Sequence, residues 1–202
     1  PVVKSSLIFT EASFYNQNYD KVELSGTYRN KEIILDSLKA EKSGGIIEAK
    51  GWYNIEQESY NVHLSINSLL LEDFQVSESF GKIGAIIDLR LEAKGTLHSP
   101  HIVASSSLRN ATYNAKEIGD LQIKANSLGE ELKFQIILPQ FSGAMKGFLR
   151  LTNPYPLNAE LEFVNLSLEE LKSRILSDKK LALSGNLKAD VSLRMELSNP
   201  KD

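Results

Sequence analysis

Apolar or glycine residues occupy every odd position of IGAIIDLRLEAKGTL, residues 83–97, from Ile83 through Ala85, Ile87, Leu89, Leu91, Ala93 and Gly95 to Leu97. Asp88, Arg90, Glu92, Lys94 and Thr96 fill the even positions of its second part. Successive side chains of a strand point to opposite faces, so the pattern predicts one strand with an apolar side and a solvated side. It is long for a strand, since most run to about 5–6 residues. Further alternation covers 21–29, 45–54, 59–67 and 82–97, then 118–125, 132–138, 141–151, 157–163 and 181–197. The stretch 31–42 is less regular: Ile33 and Leu35 share a parity that Leu38 and Ala40 do not. That slip predicts a β-bulge near Asp36–Ser37. Gly44-Gly45 and Ser142-Gly143 read as turns, and such short connections imply antiparallel neighbours.

The pattern occurs twice. ASF at 12–14 matches ATY at 111–113, Val22, Leu24 and Gly26 fall on Leu121, Ile123 and Ala125, and AKGWY (49–53) matches MKGFL (145–149). YNVHLSINSLLLEDF (60–74) lies over LNAELEFVNLSLEEL (157–171), and the long strand ending at Pro100 lies over LALSGNLKADVSLRMELSNP, ending at Pro200. The chain is expected to be two consecutive copies, 1–100 and 101–202. A helix is expected to interrupt each. Ser167 followed by Glu170 forms a capping-box pattern, with Leu168, Leu171 and Ile175 at helical spacing, and LLLEDFQVSESF (69–80) is its uncapped counterpart.

Chemistry adds little to this picture. Net charge is −3 with both signs mixed along the chain, which points away from a nucleic-acid partner. There is no cysteine for disulfides, thiol chemistry or thiolate metal sites. No apolar run approaches the roughly 18 residues of a membrane helix. Beginning at Pro1, the chain reads as excised from something longer. His98 and His101 could share a metal, but no third ligand lies nearby and the other copy has Ser198 and Lys201 there. His63 alternates with Val62 and Leu64, which places it on the outer face. Glu72–Asp73 and Glu169–Glu170 sit in the first turns of the expected helices, where negative charge suits the helix dipole. NAT (110–112) and NLS (165–167) are glycosylation sequons by pattern, and Trp52 and Phe148 occupy equivalent positions of polar parity. No catalytic residue, cofactor or metal site emerges, and the protein is not expected to be an enzyme.

The apolar parity is the remaining signal. Alternating strands most often pack two sheets into a sandwich, and a tandem sandwich in a structural or adhesive module is one reading. The length of 83–97 and 181–197, and the mostly aliphatic apolar parity, favour a continuous lining instead. The glycine-punctuated amphipathic strands, the NSLLLEDF and VNLSLEEL segments and the GTLHSP ending resemble the TamB/AsmA-like superfamily of diderm bacteria. The resemblance implies a mainly β fold: a curved, U-shaped antiparallel sheet, the β-taco or repeating β-groove, here with a short helix per repeat. It also implies a periplasmic protein with an inner-membrane anchor, a TamA-type barrel as partner in the outer membrane, and phospholipid passed between the two membranes. Neighbouring repeats of the same chain would continue the groove. A chaperone groove for outer-membrane proteins would use the same surface.

On this reading the lining comprises Val62, Leu64, Ile66, Ile83, Ile87, Leu89, Leu91 and Leu97 in the first copy. In the second it comprises Leu121, Ile123, Phe134, Ile136, Leu138, Met145, Leu149, Leu161, Phe163, Leu181, Leu183, Leu187, Val191, Leu193, Met195 and Leu197. Gly51, Gly95, Gly147 and Gly185, at inward parity, are expected to permit bending and to leave room for a lipid tail.

Overall fold

The computed structural model describes residues 2–14, 17–73, 82–152, 155–169, 172 and 184–196, with the backbone alone at Leu128. They form β1 (Val2–Phe14), β2 (Gln17–Arg29), β3 (Glu32–Lys42), β4 (Gly45–Asn54), β5 (Ser59–Leu70) and β6 (Ile83–Thr96). There follow β7 (Pro100–Tyr113), β8 (Lys116–Leu128), β9 (Glu131–Leu138), β10 (Gly143–Arg150), β11 (Pro156–Ser167) and β12 (Asn186–Glu196). The protein is mainly β. All twelve strands lie in one sheet in sequence order, and each pair is antiparallel. The sheet is not closed, because β1 and β12 are its two edges. Among the described residues there is no second sheet for the tandem sandwich.

Local chemistry explains the meander. Two-residue turns with both residues at positive φ match the twist of the strands they join. Asn30–Lys31 (φ 46 and 61), Ser43–Gly44 (49 and 83) and Asn114–Ala115 (50 and 63) are three of them. Both expected turns end one residue earlier than Gly44-Gly45 and Ser142-Gly143 suggest: Gly45 and Gly143 already belong to β4 and β10.

Bulges interrupt the ladder at defined places. The register of β3 shifts between Leu35 and Leu38, where the parity slip predicts it, and Thr27 Oγ1 donates to Asp36 Oδ2 at 2.9 Å there. Further shifts fall between Ile66 and Leu69 on β5, Leu108 and Ala111 on β7, and Phe163 and Leu166 on β11. Ser68 and Asn110 stand at positive φ in two of them. Their N–H groups donate to Asp88 Oδ1 and Asp120 Oδ1, each at 2.9 Å. Asn110 of NAT and Asn165 of NLS sit at bulges, and at Asn110 the positive φ is one reason for asparagine.

Three expectations need correction. The helix expected over 69–80 does not form among the described residues: Leu69 and Leu70 complete β5, and a 3-10 turn follows at Leu71–Asp73. The rest of that stretch, 74–80, lies outside the described residues. In the second copy Ser167 completes β11, and Leu168, Glu169 and Lys172 are helical. Residues 170–171 and 173–183, including Glu170, Leu171 and Ile175, lie outside the described set. Ser167, the expected capping residue, is still extended, as N-cap residues are, and pairs with Asn186 of β12. The second correction concerns Leu97, which follows β6 in a turn, is 60% exposed, and donates its N–H to Glu58 O at 3.2 Å. The third is that β1 and β7 are strands, although neither was anticipated. Ile8 on the polar side of β1 and the serines of β7 blur their alternation.

Candidate functional site: an unbroken apolar face

Residues directly opposite one another in an antiparallel pair project to the same side of the sheet. Following those pairs across the sheet gives Leu7–Leu24–Leu38–Ala49–Leu64–Leu91 on β1 to β6. The same row continues as Ala104–Ala125–Phe134–Gly147–Ala159–Leu193 on β7 to β12. Every position in this row is apolar or glycine. The next row on the same face runs Phe9–Val22–Ala40–Ile47–Ile66–Leu89, then Ser106–Ile123–Ile136–Met145–Leu161–Val191. Ser106 is its one polar member, and its hydroxyl is spent on Asp88 O at 2.9 Å. Ser127, at the margin of the face, is fully buried: its Oγ accepts from Ile102 N at 2.8 Å and lies 3.4 Å from Pro100 O. Neither serine presents a free hydroxyl to the face.

The opposite side has the reverse chemistry. The row between these two runs Ile8–Glu23–Lys39–Glu48–Ser65–Arg90–Ser105–Lys124–Gln135–Lys146–Glu160–Ser192. Glutamates and lysines face each other on its first strands. Lys39 Nζ donates to Glu41 Oε1 at 2.8 Å. That hydrogen bond, with the attraction between the charges, raises the Lys39 pKa and lowers that of Glu41. Asp88, on the same side, pairs with Arg109 at 3.1 Å. His63 stands here too, with Glu92 3.9 Å away. Trp52 faces Ile34 and Asn61, while Phe148 faces Lys133 and Asn158, so both lie on the polar side.

The apolar face is only partly shielded. Leu24, Leu38, Leu64, Leu91, Ile123, Ile136 and Phe134 are half-buried, and Leu7, Phe9, Val191, Leu193 and Met195 are exposed. A sheet packed against a second layer would bury such central positions. Within the rows only Ala159, Val22 and Ala40 are buried, and the larger buried side chains gather toward one end of the strands, at Leu69, Phe141 and Leu166, with Ala85 and Ala111. There a 3-10 turn, Pro139–Phe141, contacts β8 and β11, and the turn Leu71–Asp73 contacts β6. A second small cluster joins Ala12, Val22 and Ala40, flanked by Tyr19, Leu38 and Ile47.

Compared with known protein families, curated proteins and solved structures, the chain matches none. Its surface must therefore speak for itself. Among the described residues no three metal-ligating side chains converge. His98 is exposed, with Glu58 3.7 Å away, and His101 stands opposite Lys94. No helix among the described residues is long and apolar enough to cross a membrane.

The strands bring most of the sequence-derived lining together on the apolar side. Leu64, Leu91, Phe134 and Leu193 belong to the first row. Ile66, Leu89, Ile123, Ile136, Met145, Leu161 and Val191 belong to the second. Val62, Leu149 and Met195 continue the face to one flank, where Gly51–Val62 and Leu149–Leu157–Met195 are opposed. Ile83, Ile87, Leu121, Leu138, Phe163 and Leu187 continue it to the other, through pairs such as Ile87–Leu108–Leu121 and Leu166–Leu187. Leu97 is off the face, and Leu181, Leu183 and Leu197 lie outside the described residues. The sequence-derived lining left out the side chains of the first four strands, of which Leu7, Phe9, Leu24, Leu38 and Ile47 stand in the same rows. Matching Val22 and Leu24 with Leu121 and Ile123 already carried that signal.

The glycines do something other than leave room. A Cβ on Gly51 would run into Asn61 O and come within 2.9 Å of Val62 Cα. One on Gly147 would run into Asn158 O and meet Phe134 Cζ at 2.6 Å. These positions are glycine because the neighbouring strand and the Phe134 ring already fill the space, an aromatic covering a glycine in a sheet. Gly95 and Gly185 have φ of 120° and 109°, which favours glycine for backbone reasons.

Proposed function

We propose that the sheet bends into a U-shaped groove whose apolar side holds lipid acyl chains, as the resemblance to the TamB/AsmA-like superfamily implies. The observation that carries this reading is the first row: twelve consecutive opposed positions without a polar side chain. Exposing an acyl chain to water costs about 0.8 kcal/mol per CH₂, so a carrier must offer an apolar path without polar interruptions. A row crossing every strand is such a path, and it runs perpendicular to the strands. Apolar surfaces this extensive usually serve a partner or ligand. In this reading the protein is a segment of a periplasmic bridge, anchored at the inner membrane and working with a TamA-type outer-membrane barrel. Phospholipid tails slide along the groove from one membrane to the other, supporting outer-membrane biogenesis, and no residue performs bond chemistry.

Native mass spectrometry and lipid extraction of the purified chain test the proposal. Phospholipid should co-purify with the wild type and be lost from Leu89→Asp and Leu193→Asp variants whose circular dichroism still shows a folded β-sheet. Lipid-free wild type, or folded variants that retain lipid, would sink it. Competition between phospholipid and unfolded barrel peptides separates this function from that of a chaperone groove.

A further inference from the structure

The margin of the apolar side that lies away from the 3-10 turns is built differently in the two halves of the chain. In the first, the opposed positions Tyr28–Ile33–Tyr53–Tyr60 cross β2 to β5. They stand on the apolar side, because Tyr53 and Tyr60 share the parity of the pairs Gly51–Val62 and Ala49–Leu64. Tyr28 and Ile33 are exposed, and Tyr53 and Tyr60 are half-buried. None of the three tyrosine hydroxyls has a hydrogen-bond partner among the described residues.

The second copy keeps the row and changes its chemistry. Tyr28, Tyr53 and Tyr60 correspond to Ser127, Leu149 and Leu157, which form the row Ser127–Leu132–Leu149–Leu157. The Ser127 hydroxyl is buried and bonded to Ile102 N. The row therefore forms without free hydroxyls, so the sheet itself does not require the tyrosines. A tyrosine joins a ring that suits an apolar surface to a hydroxyl that suits water. Such residues gather where hydrocarbon meets the polar layer of a membrane.

Resting on the lipid reading above, we propose that Tyr28, Tyr53 and Tyr60 hold the polar end of a glycerophospholipid. Their hydroxyls donate to its ester carbonyl or phosphate oxygens, while its acyl chain lies along the strands. From Tyr60 the apolar positions Val62, Leu64 and Ile66 lead away from the margin. The span from Tyr60 to Ile66 is about 20 Å, at about 3.3 Å per residue. One leaflet of hydrocarbon is about 15 Å thick, half of a core of about 30 Å. A chain anchored at the tyrosines thus ends on the open part of the face. The hairpins beyond the row carry Arg29, Lys31 and His98, and each has a glutamate beside it: Glu32, Glu56 and Glu58. The tyrosines accordingly read the ester and phosphate that glycerophospholipids share, not the net charge of the headgroup.

Fluorescence binding to the whole chain tests this with three probes. Two are phosphatidylethanolamine and phosphatidylglycerol, each with one pyrene-tipped chain, and the third is a pyrene-tipped alkane without ester or phosphate. Combining Tyr28→Phe, Tyr53→Phe and Tyr60→Phe should weaken binding of both phospholipids about tenfold. Alkane binding should stay the same, and so should the thermal unfolding midpoint, because the hydroxyls bond to nothing in the protein. Unchanged phospholipid affinity in the triple variant overturns the tyrosine contact and leaves the lipid reading standing. A loss confined to one headgroup does the same, as does an equal loss for all three probes with a shifted midpoint, which marks a structural role. A wild type that takes up none of the probes overturns the tyrosine contact and the lipid reading together.

Discussion

The covered end of the apolar face and its open middle share the same strands and the same parity, yet they differ in burial. At the covered end the 3-10 turns contact β6, β8 and β11, Gly119 lies beside Gln140 of one of them, and Ala85, Ala111 and Phe141 are buried. In the middle Leu64, Leu91, Ile123 and Phe134 are only half-buried. Residue size does not separate the two, since Leu69, Phe141 and Leu166 are buried at the covered end while Ala49, Ala104 and Ala125 stand in the central row. Alternation alone does not separate a core from a lining. Burial does.

The largest expected effect breaks the covered end. Phe141→Ala should cost about 3–5 kcal/mol of unfolding free energy in a denaturant titration, since it opens a cavity under a turn. Leu91→Ala, half-exposed at the outset, should cost about 1–2 kcal/mol by the same measurement. Equal losses would erase the distinction between core and lining.

A smaller effect sharpens the description of the middle. Gly147→Ala pushes a methyl group toward Phe134 and the Asn158 carbonyl, and overpacking of that kind costs about 1–3 kcal/mol. If Gly147→Ala proves neutral in thermal unfolding, space was left there after all, and the strands around Gly147 pack less closely than the structure indicates.

The smallest effect lies on the polar side. Glu41 has a lowered pKa through its hydrogen bond and attraction to Lys39. A depressed carboxylate stabilises the fold above its unfolded pKa, and that contribution is lost as pH falls through the folded value. In Lys39→Met the Glu41 carboxyl should titrate at higher pH, as read by carboxyl-carbon NMR. An unmoved titration would show that the pair does not persist in solution.

Much of this architecture was legible in the residues. The β3 slip between Leu35 and Leu38 announced its bulge, because a change of parity in an otherwise alternating strand has few other causes. The long apolar parity of β6 likewise announced its strand. The strand β1 was hidden by Ile8 on its polar side, and β7 by Ser105, Ser106 and Ser107, whose small hydroxyl side chains do not announce a face. The helix expected over 69–80 did not form at its start for a different reason. Leu69 and Leu70 have a pattern that suits either state, and pairing with β6 decided for extension.

By itself the sequence determined which side of each strand is apolar, since the period of two follows from backbone geometry alone. Only the tertiary structure decided that those sides line up. Hairpin turns and bulges set the register of every neighbouring pair, and a slip of one residue anywhere would have put an apolar row opposite a charged one. The continuous row from Leu7 to Leu193 is thus a property of twelve strands in register, and no single strand contains it.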